Sequence, residues 1–98
     1  MEVRIHAVHF DVPDKLEAFV EKKVSKLAKF HEDVVLAEVT LKLIKPESAQ
    51  NKEVSISLKV KNGDCFAEKT RDTFEKAIDE CVEAIEKQLI KSKEKSRI

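Results

Sequence analysis

Wound at about 100° per residue, Lys15, Lys22, Lys26 and Lys29 fall on one stripe of a predicted helix. Ammonium groups in a row do one kind of chemistry well: they neutralise the phosphates of a polyanion such as RNA. Glu17 and Glu21 lie across the apolar stripe from them, so charge is sorted by face. The sorting matters because 19 Lys and Arg residues balance 19 Asp and Glu residues. A neutral chain does not coat nucleic acid by bulk charge, so any RNA binding must come from local patches. The competing reading is that such a stripe is simply a solvated face.

Other chemistries find little support. There is no Ser-His-Asp or Cys-His arrangement and no pair of carboxylates at a plausible turn, and Gly63, the single glycine, cannot build a phosphate cradle. A small hydrolase is therefore the weakest class. His6, His9 and His31 are separated in the pattern, whereas a metal needs convergent ligands. Cys65 and Cys81 lack CxxC spacing and read as two reduced, buried thiols. No apolar run approaches the roughly 18 residues of a membrane span, and nothing resembles a signal peptide. These features describe a cytosolic soluble protein without cofactor, membrane contact or small-molecule substrate.

The 98 residues suit one domain with a single core. Val3, Ile5 and Ala7 alternate with Arg4, His6 and Val8, which predicts a first strand. Asp11, Pro13 and Asp14 interrupt it. From Asp14 to His31, Leu16, Val20, Val24 and Leu27 recur at three- and four-residue steps, predicting an amphipathic helix of about four to five turns. Val35 to Lys45 alternates again, with Ala37, Val39, Leu41 and Leu43 on one face, until Lys45-Pro46-Glu47-Ser48 ends the strand. Val54, Ile56, Leu58 and Val60 make the cleanest strand. Asn62-Gly63 then supports a tight hairpin that returns Asp64 to Lys69 antiparallel to it. Asp72 with Glu75 reads as the start of a long second helix, whose stripe is Phe74, Ala77, Ile78, Cys81, Val82, Ile85 and Leu89 and which frays after Lys91.

The order is β-α-β-β-β-α, an α+β fold. Each strand has one polar face, so both helices should cover one face of a four-stranded sheet and leave the other wet. Lys87, Lys91 and Lys95 would then join the first-helix lysines in one continuous basic surface. Phe10, Phe19, Phe30 and Phe74 read as core or core edge. Phe66 alone could face the wet side, short of the stacking pair expected of sheet-surface RNA readers.

These residues resemble the short-form ribosome hibernation-promoting factors, also described as ribosome-associated translation inhibitors. The resemblance is carried by Val3-Arg4-Ile5, Lys23-Val24-Ser25-Lys26-Leu27, Val39-Thr40-Leu41-Lys42, Asn62-Gly63, Ala77-Ile78-Asp79, Lys87-Gln88-Leu89 and Lys91-Ser92-Lys93-Glu94-Lys95. It spans nearly the whole chain.

The resemblance implies a fold similar to a double-stranded-RNA-binding module that lodges in the decoding region of the small ribosomal subunit. There it blocks messenger and transfer RNA and silences translation under stress or in stationary phase, without catalysis. By position it assigns RNA contacts to Lys23 and Lys26 and to Lys87, Lys91, Lys93 and Lys95; Lys22 and Lys29 rest on the helical stripe. The implied partners are the small subunit and its ribosomal RNA, with a ribosome-dimerising factor as a further candidate. Ala84 stands where the family often carries a basic residue, and Glu80 and Glu83 share that outer face, so the first half of the second helix is not cationic. Residues 1–98 are thus expected to form one ribosome-binding domain with 92–98 as a frayed basic tail. The alternative is a protein-interaction module that dimerises through the exposed sheet face or its edge.

Overall fold

The computed structural model describes residues 2–29, 34–44, 49–60 and 63–95, the last four as backbone only. Along the chain run β1 (Glu2–Val8), α1 (Asp14–Ser25), a 3₁₀ turn (Lys26–Lys29), β2 (Val34–Leu43), β3 (Lys52–Val60), β4 (Gly63–Arg71) and α2 (Phe74–Lys95). This is the expected β-α-β-β-β-α order. Among the described residues the strands form one mixed sheet in the order β1-β2-β3-β4, with β1 parallel to β2 and both later pairings antiparallel.

Alternation decides which side chains go inward. Ala37, Val39 and Leu41 of β2, Val54, Ile56 and Leu58 of β3, and Cys65 and Ala67 of β4 are buried under the helices. They meet Leu16, Val20, Val24 and Leu27 from the first helical segment, and Phe74, Ala77, Ile78, Cys81, Val82, Ile85 and Leu89 from α2. β1 is an edge strand and packs less: Val3 and Ile5 are half-buried, and Ala7 is exposed. Alternation carried back from Ala37 would turn Val35 inward. A register shift between Val34 and Leu36 reverses that, burying Val34 and leaving Val35 63% exposed.

Two helix boundaries differ from the periodic expectation. The α-helical stretch stops at Ser25 and tightens into the 3₁₀ turn, with residues 30–33, and so Phe30 and His31, outside the described residues. α2 is capped by Thr73 rather than Asp72: Thr73 Oγ1 accepts from the Lys76 N–H at 3.2 Å. Asp72 instead pairs with Lys76 at 3.3 Å. Helical backbone continues to Lys95, past the expected fraying point at Lys91.

His9 turns the chain after β1 with φ 69°, a left-handed conformation in which His is enriched. Phe10 then stacks on Phe74, ring centroids 4.8 Å apart, joining this turn to the start of α2. Gly63 has φ 148° beside its pairing with Val60, where an L side chain would be strained. Asn62 and the segment Lys45-Pro46-Glu47-Ser48 lie outside the described residues. Both thiols are free and buried. Cys81 Sγ donates to the Val54 carbonyl at 3.4 Å, and burial pushes its pKa up to about 11, so it is held as the neutral thiol.

Candidate nucleic-acid interface

The sheet topology gathers the lysines. β1 and β4 both run parallel to β2, directly or through β3, so the two helices that follow them return in the same direction. Their carboxyl-terminal halves therefore reach the same end of the sheet. That is where the cations are concentrated, Lys22, Lys26 and Lys29 on the first segment and Lys87 and Lys91 on α2, a placement that also suits the negative end of each helix dipole.

On the first segment Lys15, Lys22, Lys26 and Lys29 are exposed. The 3₁₀ turn strengthens the last pair, because side chains three residues apart eclipse in that geometry and set Lys26 in line with Lys29. Lys23 is different. It is 28% exposed, pairs with Asp79 of α2 at 3.1 Å and lies over the Phe19 ring at 5.5 Å from the centroid. It ties the helices together, and part of its charge is already answered within the fold.

Lys87 and Lys91 are exposed on the flank of α2 that faces β4, where they line an open groove with Lys69, Gln88, Ala84, Glu80 and Glu83. Around α2 they stand about 80° and 120° from Asp79, which marks the side facing α1. Glu83 falls between the two directions, and Glu86 lies beside Asp79, about 20° to its other side. The helices thus carry two basic patches separated by a carboxylate strip, where one continuous surface was expected. The side chains of Lys93 and Lys95 lie outside the described residues.

Lys69 also lines the groove, outside the lysine stripes of the two helices. The alternation Cys65, Ala67, Lys69, Arg71 was its available signal, since it places all four on the helix side of β4. Arg71 meets Glu80 in a two-pronged ion pair, Nε to Oε2 at 2.6 Å and Nη2 to Oε1 at 2.7 Å. The guanidinium hydrogen bonds hold the Glu80 carboxyl below its ordinary range. A carboxylate depressed in the folded state contributes stability above its unfolded pKa and loses it as pH falls through the folded value. Thermal melts from pH 7 down to pH 3 should therefore show wild type losing an increment below about pH 4.3 that Glu80→Gln lacks. Parallel curves for the two proteins would rule out this coupling.

Gln88 closes one sheet edge. Its Oε1 accepts from the Phe66 N–H at 3.1 Å and its Nε2 donates to the Phe66 carbonyl at 2.7 Å, the pair of bonds that an added strand would make there. The open face of the sheet carries Phe66, 56% exposed and the lone aromatic there among the described residues. Alternation also places Glu2, Glu38, Glu53, Asp64 and Glu68 on this face against Arg4, Lys42 and Lys59, so its balance is acidic. The Glu53 carboxylate, as hydrogen-bond acceptor and as a like charge, pushes the Glu68 carboxyl up. Such a face repels phosphate.

Comparison with known proteins follows the fold closely. Residues 3–97 match the family described as Sigma 54 modulation protein / S30EA ribosomal protein. A ribosome hibernation promoting factor from Azotobacter vinelandii is 28% identical over 95 residues, covering 97% of this chain and 85% of that protein. The fold is shared with the N-terminal domain of Thermus thermophilus Protein Y at TM-score 0.80 and 22% identity, covering 93% of this chain and 98% of that one. It is shared also with a ribosomal subunit interface protein from Coxiella burnetii at TM-score 0.83 and 20% identity, covering 95% and 98%.

Proposed function

This chain belongs to the Sigma 54 modulation protein / S30EA ribosomal protein family, and from that membership we propose that it is a ribosome hibernation factor. In this reading it binds the small subunit in the decoding region, occupies space needed by messenger and transfer RNA, and silences translation in stressed or stationary cells. The family match along residues 3–97 is the observation that carries the proposal. The description of that family is of a modulating and ribosomal protein, not an enzyme, and a factor of this kind works in the cytoplasm.

The contacts are assigned to Lys22, Lys23, Lys26 and Lys29 on one flank and to Lys87, Lys91, Lys93 and Lys95 on the other, with 92–98 as a basic tail of the ribosome-binding domain. Lys23 contributes through its outward edge, since Asp79 already holds its ammonium. The direct test is sedimentation with small subunits at low salt, followed by competition with messenger and transfer RNA. Protein that remains at the top of the gradient while subunits pellet would end the proposal.

Phosphate contact makes a quantitative demand. About five neutralised phosphates give a slope of about −3.5 to −4.5 in log affinity against log salt, at about −0.7 to −0.9 per contact. Subunit binding measured between low and physiological salt should follow that slope. A flat response would move the interface to the open sheet face, whose contact would be with protein.

A further inference from the structure

We propose that the groove between β4 and α2 is a seat for the RNA sugar-phosphate backbone, with Lys69 as its third cation beside Lys87 and Lys91. This rests on the reading of the protein as an RNA binder. It goes beyond that reading by bringing the sheet into the contact and by directing the backbone along the flank of α2 away from α1.

Lys69 follows the buried Cys65 and Ala67 on the helix side of β4 and precedes Arg71 there. Among the α2 residues that line the same groove, Ala84 carries a side chain too small to cover Lys69. Lys87 and Lys91, one turn apart with a rise of about 6 Å, line the same groove. None of the ion pairs among the described residues uses any of these three lysines. Three like charges converging from two elements repel one another, and an anion among them removes that repulsion.

The chemistry of the lining selects the anion. Ammonium groups are compact point charges that suit phosphate oxygens from several directions, whereas a carboxylate partner favours the flat fork of Arg. Arg71, the one Arg nearby among the described residues, is already engaged by Glu80, which also cancels that carboxylate. Glu83 remains at the amino-terminal end of the groove and bars phosphate from that half. Gln88 locks α2 to the β4 backbone at Phe66, so the neighbouring Lys87 and Lys91 are held in place before the ligand arrives.

The test uses the full chain, a short A-form RNA duplex and small ribosomal subunits, with binding read by fluorescence and by sedimentation. Lys69→Gln should weaken binding about threefold to tenfold and flatten the salt slope by about 0.7–0.9. Glu83→Gln should tighten it, and Lys42→Gln on the open face should leave it unchanged. Amide shifts on duplex addition should centre on Lys69, Ala84 and Lys87. The groove is overturned if Lys69→Gln behaves like Lys42→Gln with both ligands, or if Glu83→Gln weakens binding. Subunit binding by wild type that is indifferent to Lys69 would spare the hibernation reading and remove the groove. Duplex binding that depends on Lys69, without any subunit binding, would do the reverse. Failure to bind either ligand removes both.

Discussion

Reversing Lys87 and Lys91 to Glu, singly and together, is expected to weaken small-subunit binding by at least about tenfold per site while the protein stays folded. Each reversal deletes a cation from the α2 flank and places a carboxylate where a phosphate would sit, so attraction becomes repulsion over the same short distance. The stability side is small. Both side chains are exposed and neither takes part in an ion pair among the described residues, and surface changes of this kind stay within about 0.5 kcal/mol. For a chain of this length that is a shift in Tm of about 2–4 °C. The measurements are a melting curve and a subunit pull-down for each variant. Folded double mutant that binds like wild type would show that the α2 lysines are a solvated flank.

Local periodicity carried most of the fold. Ala37, Val39, Leu41, Val54, Ile56, Leu58, Cys65 and Ala67 are buried as alternation selects, with Leu43 and Val60 half-buried at the strand ends, and α2 buries the full stripe from Phe74 to Leu89, because a two-residue or 3.6-residue period directly states which face meets the core. What was not legible depends on partners distant in sequence. The parallel pairing of β1 with β2 leaves no turn signature, since its connection is a helix. The register shift at Val34/Leu36 is one residue wide, and no local pattern distinguishes it from an ordinary strand start.

The same distinction runs through the candidate interface. Lys22, Lys26 and Lys29 could be placed on a stripe because all three lie on one local segment. Lys23 could not be separated from them, because what marks it is Asp79, more than 50 residues away in the chain and 3.1 Å away in space. The division of the basic surface has the same origin. Lys87 and Lys91 are outward on a helical wheel, but only the neighbour on each side of α2 decides whether outward means toward α1 or toward β4. Lys69 was hidden by a different rule: a charged residue on the inward phase of an edge strand reads as an interruption of the core until a groove is seen above it.

The core of α2 should give the opposite pattern to its flank. Ile85→Ala and Leu89→Ala each remove a fully buried branched side chain from between α2 and the sheet, leaving a cavity that the closely packed neighbours only partly fill. The expected cost is about 2–5 kcal/mol each, a large part of the roughly 5–15 kcal/mol that holds a domain together. In Tm this is a fall of at least about 8 °C, with a matching loss in denaturant midpoint. Ribosome binding should decline only in proportion to the unfolded fraction, and should recover at low temperature where the variant is folded. Because α2 also carries Lys87 and Lys91, the comparison isolates their role on a single helix. A core variant that is folded at the assay temperature yet fails to bind would mean that α2 must be rigidly seated on the sheet for its lysines to act. A stable variant would mean that this end of α2 packs more loosely than the complete burial of Ile85 requires.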